Sequence, residues 1–421
     1  MRFGSYWLDT SEPFASNSPA LRDGSCDVLV VGGGIPGSAA ALALARKGAR
    51  VIVCEAGTVG QAASGRNGGM CNNGFAQDYA ALSQRIGTEL ANRLYRAFDA
   101  GVDTVERLVR EESIDCDFVR RGKLKLAAKP EHYDKLARSQ ALLAASVDPD
   151  TRMVTKAELR DEIGSDRYHG GLLFGKSAGM HVGRYVRGLA RAAQARGAHV
   201  LEHAPVLGLK RQAGGAYAAR TPLGEIRARQ VLLASGISQV GPFGWIRRRI
   251  VPVGAFIIVT EPLPDDLLDR LLPTRRMVTD TKKFVNFFRV TPDNRMLFGG
   301  RARFAASNPR SDEKSGAILR RQLAAVFPEL AGVRIDYCWG GMVDMTANRL
   351  PRAGERDGVY YAMGYSGHGT HMATLMAEIM DGRADLNPWK DFDWPAIPGH
   401  FGKPWFLPFV GAWYRLKDTL Q

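Results

Sequence analysis

The residues whose spacing carries the most chemistry are three glycines, Gly32, Gly34 and Gly37, in the order GxGxxG, with an acid, Glu55, 21 residues after the second. They lie in the stretch DVLVVGGGIPGSAAALALARKGARVIVCE, residues 27–55. This spacing suits a dinucleotide. Gly32 makes a tight turn, Gly34 lets the backbone approach a pyrophosphate, and Gly37 lets a helix pack on a strand. Ile35 and Pro36 open that helix, where unpaired N–H groups and the dipole favour anions. Glu55, followed by Ala56, is placed to accept hydrogen bonds from an adenosine ribose. Two more glycine-rich segments carry polar side chains: SGRNGG at 64–69, and GYSGHGTH from Gly364, which opens another helix.

The elements that must position these groups follow from periodicity. Residues 27–31 form an apolar strand, an Ala/Leu-rich helix runs to about Lys47, Gly48 stops it, and 50–54 is a second strand. Leu82, Ile86, Leu90, Leu94, Phe98, Val102, Val105 and Leu108 give helical spacing over 79–111, as one or two helices. Residues 122–127 alternate as a strand, while 130–145, 156–163 and 181–196 read as helices. A strand is expected over 200–209, a hairpin over 216–221 and 225–229, and a separate buried strand over 230–236. Its ending in Ser235 and Gly236 suits the ligand edge of an open α/β sheet. Strands follow at 251–260, 284–290 and 295–300, then a helix at 312–327 and a short strand at 360–363. Residues 1–25, polar with Pro13 and Pro19, are expected to form an extended arm.

The βαβ unit is N-terminal, while its partner strands fall near 200, 231 and 360. The chain is therefore assigned to the α/β class, with a discontinuous Rossmann-like domain made of 1–95, 150–240 and 336–385. An inserted α+β domain with a mixed sheet, 96–149 and 241–335, should bind substrate, and 386–421 forms an aromatic tail.

Composition sets outer bounds. A chain of 421 residues can build two sizeable cores, and 45% hydrophobic with 24% charged residues is the balance of an ordinary soluble protein. The five cysteines are scattered without CxxC or ligand spacing, so neither a disulfide framework nor a metal site is expected, and a reducing cytoplasm is the simplest location. The N-terminus lacks a basic segment followed by an apolar one, so no signal peptide is expected. No apolar run approaches a membrane span. The net charge of +14 is spread along the chain without a basic, aromatic-interleaved helix, which argues against nucleic acid as a partner. An anionic membrane surface and an anionic substrate both remain open.

The sequence resembles the FAD-dependent amine and amino-acid oxidases of the D-amino-acid-oxidase superfamily. The likeness covers residues 25–385 and rests on VVGGGIPG with Glu55, SGRNGG, LLASG at 232–236 and GYSGHGTHMA at 364–373. With WGGMVDMTANRLPRAG at 339–354 it looks most like the γ-glutamylputrescine oxidoreductase branch, which includes bacterial L-pipecolate oxidases. The resemblance implies an FAD cofactor, with Ser64, Arg66, Asn67, Gly68 and Gly69 running beside the flavin. Gly364, Ser366, Gly367, His368, Gly369 and Thr370 would bring a helix N-terminus to its pyrimidine edge. Val206 would touch the adenine, and Ser235 with Gly236 would close over the pyrophosphate. It also implies that a neutral amine loses hydride from its α-carbon to flavin N5, the imine then hydrolysing. Asn286, Phe288 and Arg289 are candidate substrate walls, with Arg349 a further cation for a carboxylate.

The sequence departs from its relatives where they hold carboxylates. GMVDMT at 341–346 has no arginine where glycine-oxidase-like members have LRP, and His371 stands where sarcosine-oxidase-like members have lysine. Either another cation such as Arg289 or Arg349 serves, or the substrate lacks an adjacent carboxylate. His368 is the candidate at the flavin edge, His371 either faces the site or packs, and Arg66 pairs a carboxylate or fixes its own loop. Cys338 lies 26 residues before Gly364, near where sarcosine oxidases bond their flavin; non-covalent FAD is the expectation and a link through Cys338 the alternative. Electrons would pass to oxygen or to quinone. The tail around 405–410, apolar and flanked by Lys403, Arg415 and Lys417, is either a strap on the catalytic domain or a peripheral contact with an anionic membrane.

Overall fold

The computed structural model describes residues 1–16, 24–238, 240–300, 308–380, 387–390, 392–402 and 405–420. Two large sheets carry the architecture. The first has a parallel centre in the order His199–Leu201, Val51–Cys54, Gly24–Val31, Gly224–Leu233, Val359–Met363. Leu29 lies beside Ile52 and Val30 beside Leu232, so buried β-branched and leucine side chains stack across the sheet. One face is covered by the helix Ile35–Arg46, which packs on the helices Val182–Ala195 and Gly369–Met380.

The Gly224–Leu233 strand is longer than the sequence suggests. The expected hairpin arm and the expected separate strand after it are one element, whose first half pairs with Tyr217–Thr221 and whose last residues pair with Val359–Met363. Conversely, the strand expected over 200–209 divides into His199–Leu201 and Gly208–Arg211, which lie at opposite edges of the sheet. The chain between them turns away to bond Glu55, whose backbone oxygen accepts from Ala204 N at 2.8 Å. The helix expected over 156–163 is a single 3-10 turn, Glu158–Asp161.

The second sheet has nine strands: Arg2–Phe3, Ile335–Met345, Val251–Pro262, Arg295–Gly300, Asn286–Val290, Met277–Asp280, Lys123–Leu126, Gly171–Phe174 and Arg152–Val154, in that order. Ile335–Met345, Gly171–Phe174 and Arg152–Val154 thus pair within this sheet, although the sequence boundaries at 150 and 336 put them with the dinucleotide-binding part. Its own core lies under the helix Pro309–Val326.

The N-terminus is not an extended arm over its described part. Phe3 pairs with Cys338, Tyr6 and Trp7 are buried, and Trp7 Nε1 donates to Asn67 O at 2.7 Å. Ser5 Oγ donates to Gly65 O at 2.6 Å. An apolar Tyr6–Trp7 pair buried against a polar glycine loop explains the docking: the loop supplies carbonyls and the indole supplies area. Trp7→Ala should therefore destabilise the protein by about 3–5 kcal/mol in denaturant unfolding; a loss below about 1 kcal/mol would contradict this packing.

Candidate active site

The two sheets and the helix starts enclose one large cavity of about 1950 Å³. That is about twice the upper end of ordinary ligand pockets, room for a dinucleotide and a second small molecule.

At one end the first glycine turn is set by close approach. A Cβ on Gly37 would fall 1.8 Å from Gly32 O, and one on Gly32, whose φ is +114°, would fall 2.7 Å from Ala234 O. Only glycine lets the helix start sit so near the strand ends. Gly32, Gly34, Ile35 and Pro36 line the cavity, whereas Gly37 is spent on packing behind them. Glu55 lines it too, and its two oxygens accept from Gly33 N at 2.6 Å and Gly57 N at 2.8 Å. Ala56, Val206, Ser235 and Gly236 continue the same wall.

The 64–69 loop forms the next stretch. Ser64 Oγ accepts from Ile35 N at 2.9 Å, and so caps the helix start from across the cavity wall. Asn67 braces its own loop: Oδ1 accepts from Gly69 N at 2.8 Å, and Nδ2 donates to Ala63 O and Ser64 O at 3.1 Å each. Arg66 lines the cavity, but its Nε donates to Gly340 O at 2.6 Å while its backbone oxygen takes the Trp339 indole at 2.9 Å. Gly68 lines the cavity and Gly69 lies behind it.

The second glycine turn closes the far side of this wall. Ser366 holds φ +53° and Gly367 φ +94°, so two successive residues turn left-handed before the helix Gly369–Met380 begins. Ser366, Gly367, His368, Gly369 and Thr370 line the cavity, with Gly364 just behind, its N–H donated to Asp344 Oδ2 at 2.6 Å. Burial pushes the His368 imidazole down to about 3, with Lys123 and Lys125 adding to the effect, so the ring is neutral. Arg349 lines the cavity as well.

Several expected site residues lie elsewhere. Arg289 is buried behind the 64–69 loop, donating from Nη1 to Gly69 O and to Met180 O at 3.1 Å, with its guanidinium over the Trp7 ring. It holds the loop in place and does not reach the cavity. Phe288 belongs to the core of the second sheet, stacked on Phe298 at 5.5 Å; its neighbour Phe287 faces the cavity instead. Strand alternation makes only one of two adjacent residues a wall. Asn286 is buried against Gly300, with its Oδ1 off the cavity and unpartnered. His371 packs fully buried against Phe98 and Gly101, off the cavity, and burial holds it well below the usual imidazole range. Cys338 is turned toward the Pro309–Val326 helix, 3.3 Å from Asp312 O and away from the cavity, which removes the covalent alternative.

The structure adds cavity residues that the sequence reading passed over. Asp344 contributes a carboxylate that burial pushes up to about 6. Lys123 and Lys125 stand on one face of Lys123–Leu126, and Phe75, Phe287 and Tyr365 supply aromatic surface. The lysines had a signal: KLKL puts two charges on one strand face, which a sheet tolerates only where that face meets something other than apolar core.

The residues fit an FAD. Two helix N-termini, from Ile35–Arg46 and Gly369–Met380, open on the same cavity, and the left-handed turn before the second leaves room for a flat ring against backbone. The DAO family model, FAD dependent oxidoreductase, matches residues 27–383. The chain belongs to this family of FAD-dependent oxidoreductases. It is 32% identical to the γ-glutamylputrescine oxidoreductase of Escherichia coli K12 over 99% of this chain and 98% of that protein. It is also 32% identical to the probable oxidoreductase OrdL of Haemophilus influenzae, over 89% of this chain and 86% of that one. Among solved structures, the fold matches glycine oxidase from Geobacillus kaustophilus with a TM-score of 0.69 at 22% identity, covering 88% of this chain and 97% of that one.

Two predictions follow from this geometry. Arg289→Met should lower stability by about 2–3 kcal/mol through its lost charged hydrogen bonds and leave the substrate KM of the folded enzyme unchanged; a raised KM at unchanged stability would return Arg289 to the substrate wall. For Asp344 burial pushes the folded carboxyl up to about 6, above the ordinary aspartate value of 3.8, so its contribution to stability is lost as pH rises through that interval. Asp344→Asn should thus gain in melting temperature relative to the parent between pH 4 and about 6 and hold a constant difference above it. A difference that does not change with pH would show that Asp344 is not held in this way.

Proposed function

We propose that the enzyme oxidises the C–N bond of a small amine or cyclic amino acid, of the γ-glutamylputrescine or L-pipecolate type. The observation that carries this reading is the single cavity in which both glycine turns and the inner face of the nine-stranded sheet meet. End-to-end similarity to a γ-glutamylputrescine oxidoreductase supports it.

Bound FAD supplies a two-electron acceptor for hydride from the carbon beside the substrate nitrogen. Gly32, Gly34, Ser235 and Gly236 would hold the pyrophosphate, and Glu55 the ribose, from the wall they share. Ser366 to Thr370 would hold the flavin edge through backbone N–H groups. Neutral His368 can hydrogen-bond a substrate nitrogen but has no charge for a carboxylate. Phe75 and Phe287 would exclude water around the reacting carbon. The amine must arrive without its proton, and lysine charge at the cavity wall favours that form. The imine that leaves takes up water to give a carbonyl compound and a free amine.

Anaerobic addition of γ-glutamylputrescine or L-pipecolate should bleach the flavin absorption band within the mixing time of a stopped-flow experiment. A flavin that stays oxidised with every amine and amino acid tried would overturn the reading.

A second reading concerns the electron acceptor. Phe401, Trp405, Phe409 and Trp413 are 73%, 63%, 71% and 55% exposed, and the last three recur every four residues around the start of the helix Leu407–Leu420. Lys403 lies outside the described residues, as do the side chains of Arg415 and Lys417. Among the described residues no helix is long and apolar enough to cross a membrane. An exposed aromatic row of this kind suits peripheral contact with an anionic bilayer on the cytoplasmic side, where quinone would accept the electrons. The full chain should sediment with anionic vesicles and the 1–399 truncation should not; equal sedimentation of both would rule out the tail.

A further inference from the structure

The Lys123–Leu126 strand runs between Met277–Asp280 and Gly171–Phe174. Leu124 and Leu126 enter the core of the second sheet, so Lys123 and Lys125 share the face that lines the cavity. Lys123 is only 5% exposed. Its Nζ donates to Asn73 O at 2.8 Å and lies 4.2 Å from the centre of the Phe174 ring. Those two contacts leave N–H donors of a buried ammonium unspent among the described residues. The carboxylates behind it are already engaged. Asp99 accepts from Lys176 at 2.7 Å, and Asp148 accepts from Tyr95 at 2.6 Å and from Asn73 Nδ2 at 3.2 Å. Lys125 makes no hydrogen bond or ion pair among the described residues. Further along the same wall, Lys129, Lys135 and Arg167 add positive charge, with Asp78 and Glu131 as the nearby acids.

A buried cation with open donors is costly unless an anion completes it. Asp344, itself an acid, and neutral His368, also in the lining, offer that anion no positive charge. We propose that Lys123 and Lys125 form the anion subsite of the cavity, and that the enzyme selects amines bearing a carboxylate, which these two lysines hold while the nitrogen lies toward His368. The amine half of this statement rests on the function proposed above; the lysine subsite does not.

Two lysine ammoniums on flexible stems, rooted a strand repeat apart on one face, can converge on a single carboxylate between them. Burial and the neighbouring Lys125 push the Lys123 ammonium down to about 7, opposed by Asp99 and Asp148. Lys176, paired with both acids, and the neutral imidazoles of His368 and His371 complete its surroundings. Anion binding should therefore weaken as pH rises above 7.

The test uses the FAD-loaded protein in its oxidised state and needs no turnover. Glutarate should perturb the flavin band saturably at pH 6.5, with glutaramide giving no change and inorganic phosphate binding more weakly. Lys123→Met should raise the glutarate Kd at least twentyfold, Lys125→Met about fivefold, and Lys123→Arg should restore part of the loss. Between pH 7 and 9 the parent's Kd should rise by about fiftyfold in all, a dependence absent from Lys123→Met. If Lys123→Met fails to retain FAD, Lys125→Met carries the comparison, because its side chain is less buried. Binding within twofold of the parent in Lys123→Met and Lys125→Met, or phosphate binding tighter than glutarate, overturns the subsite. Loss of glutarate binding in the variants, with no amine reducing the parent, leaves the subsite standing and removes the amine reading. Equal reduction of parent and variants by a carboxylate-bearing amine does the reverse.

Discussion

The seating of the Ile35–Arg46 helix on the ends of two strands is the constraint on which the rest depends. Gly37 lies so close to Gly32 O that a Cβ there would be 1.8 Å away, and Gly32 in turn is pressed to Ala234. That contact aims the N-terminus of the helix, with the positive end of its dipole, into the cavity. Everything beside it is then fixed in series. Ser64 caps the helix, Asn67 holds the loop that carries Ser64, Trp7 bonds Asn67 O, and Arg289 bonds Gly69 O from behind. The N-terminal segment, the glycine loop and a strand of the second sheet thus act as one support for a single helix terminus.

The second consequence is electrostatic. Two of the cavity's cations, Lys123 and Lys125, stand together on one strand, with Arg66 and Arg349 elsewhere in the lining. Backbone N–H groups and neutral His368 occupy the side where the two helices begin, with Asp344 bonded to Gly364 beneath them. Cationic side chains occupy the strand Lys123–Leu126 and the wall beyond it. A site of this kind orients a bifunctional molecule along its length before any chemistry occurs, since one end is attracted and the other is not. On the proposed subsite the absence of arginine at 341–346 needs no replacement nearby, because Lys123 and Lys125 would supply the cation.

The glycine-rich turns and the parallel strands were legible because their signals are local. Gly32, Gly34 and Gly37 act on neighbours within one βαβ unit, and Ser366 to Thr370 act on the helix that follows them. What was not legible depends on contacts distant in sequence or on strand parity. Phe287 and Phe288 are both plausible walls in isolation, and only the pairing of Asn286–Val290 with Arg295–Gly300 decides which faces in. Arg289 looked like a substrate cation because nothing in its own segment shows that Gly69 and Met180 need a donor. Cys338 sits two residues before a cavity-lining stretch that begins at Gly340, too small an offset for counting along the chain to resolve. Trp7 falls in a stretch that reads as an extended arm, because the loop that buries it lies 60 residues away. Lys123 and Lys125 were visible as an alternating pair, but an exposed strand face explains such a pair equally well until the second sheet is assembled.

On the proposed reading one cavity holds the cofactor against its helix starts and the substrate's acid against its lysine strand. A crystal structure of the FAD-loaded enzyme soaked with glutarate tests it most directly. The isoalloxazine should lie along Ser366 to Thr370, with a carboxylate within hydrogen-bonding distance of Lys123 Nζ. A carboxylate seated instead on Arg66 or Arg349, with Lys123 turned from the cavity, would contradict it.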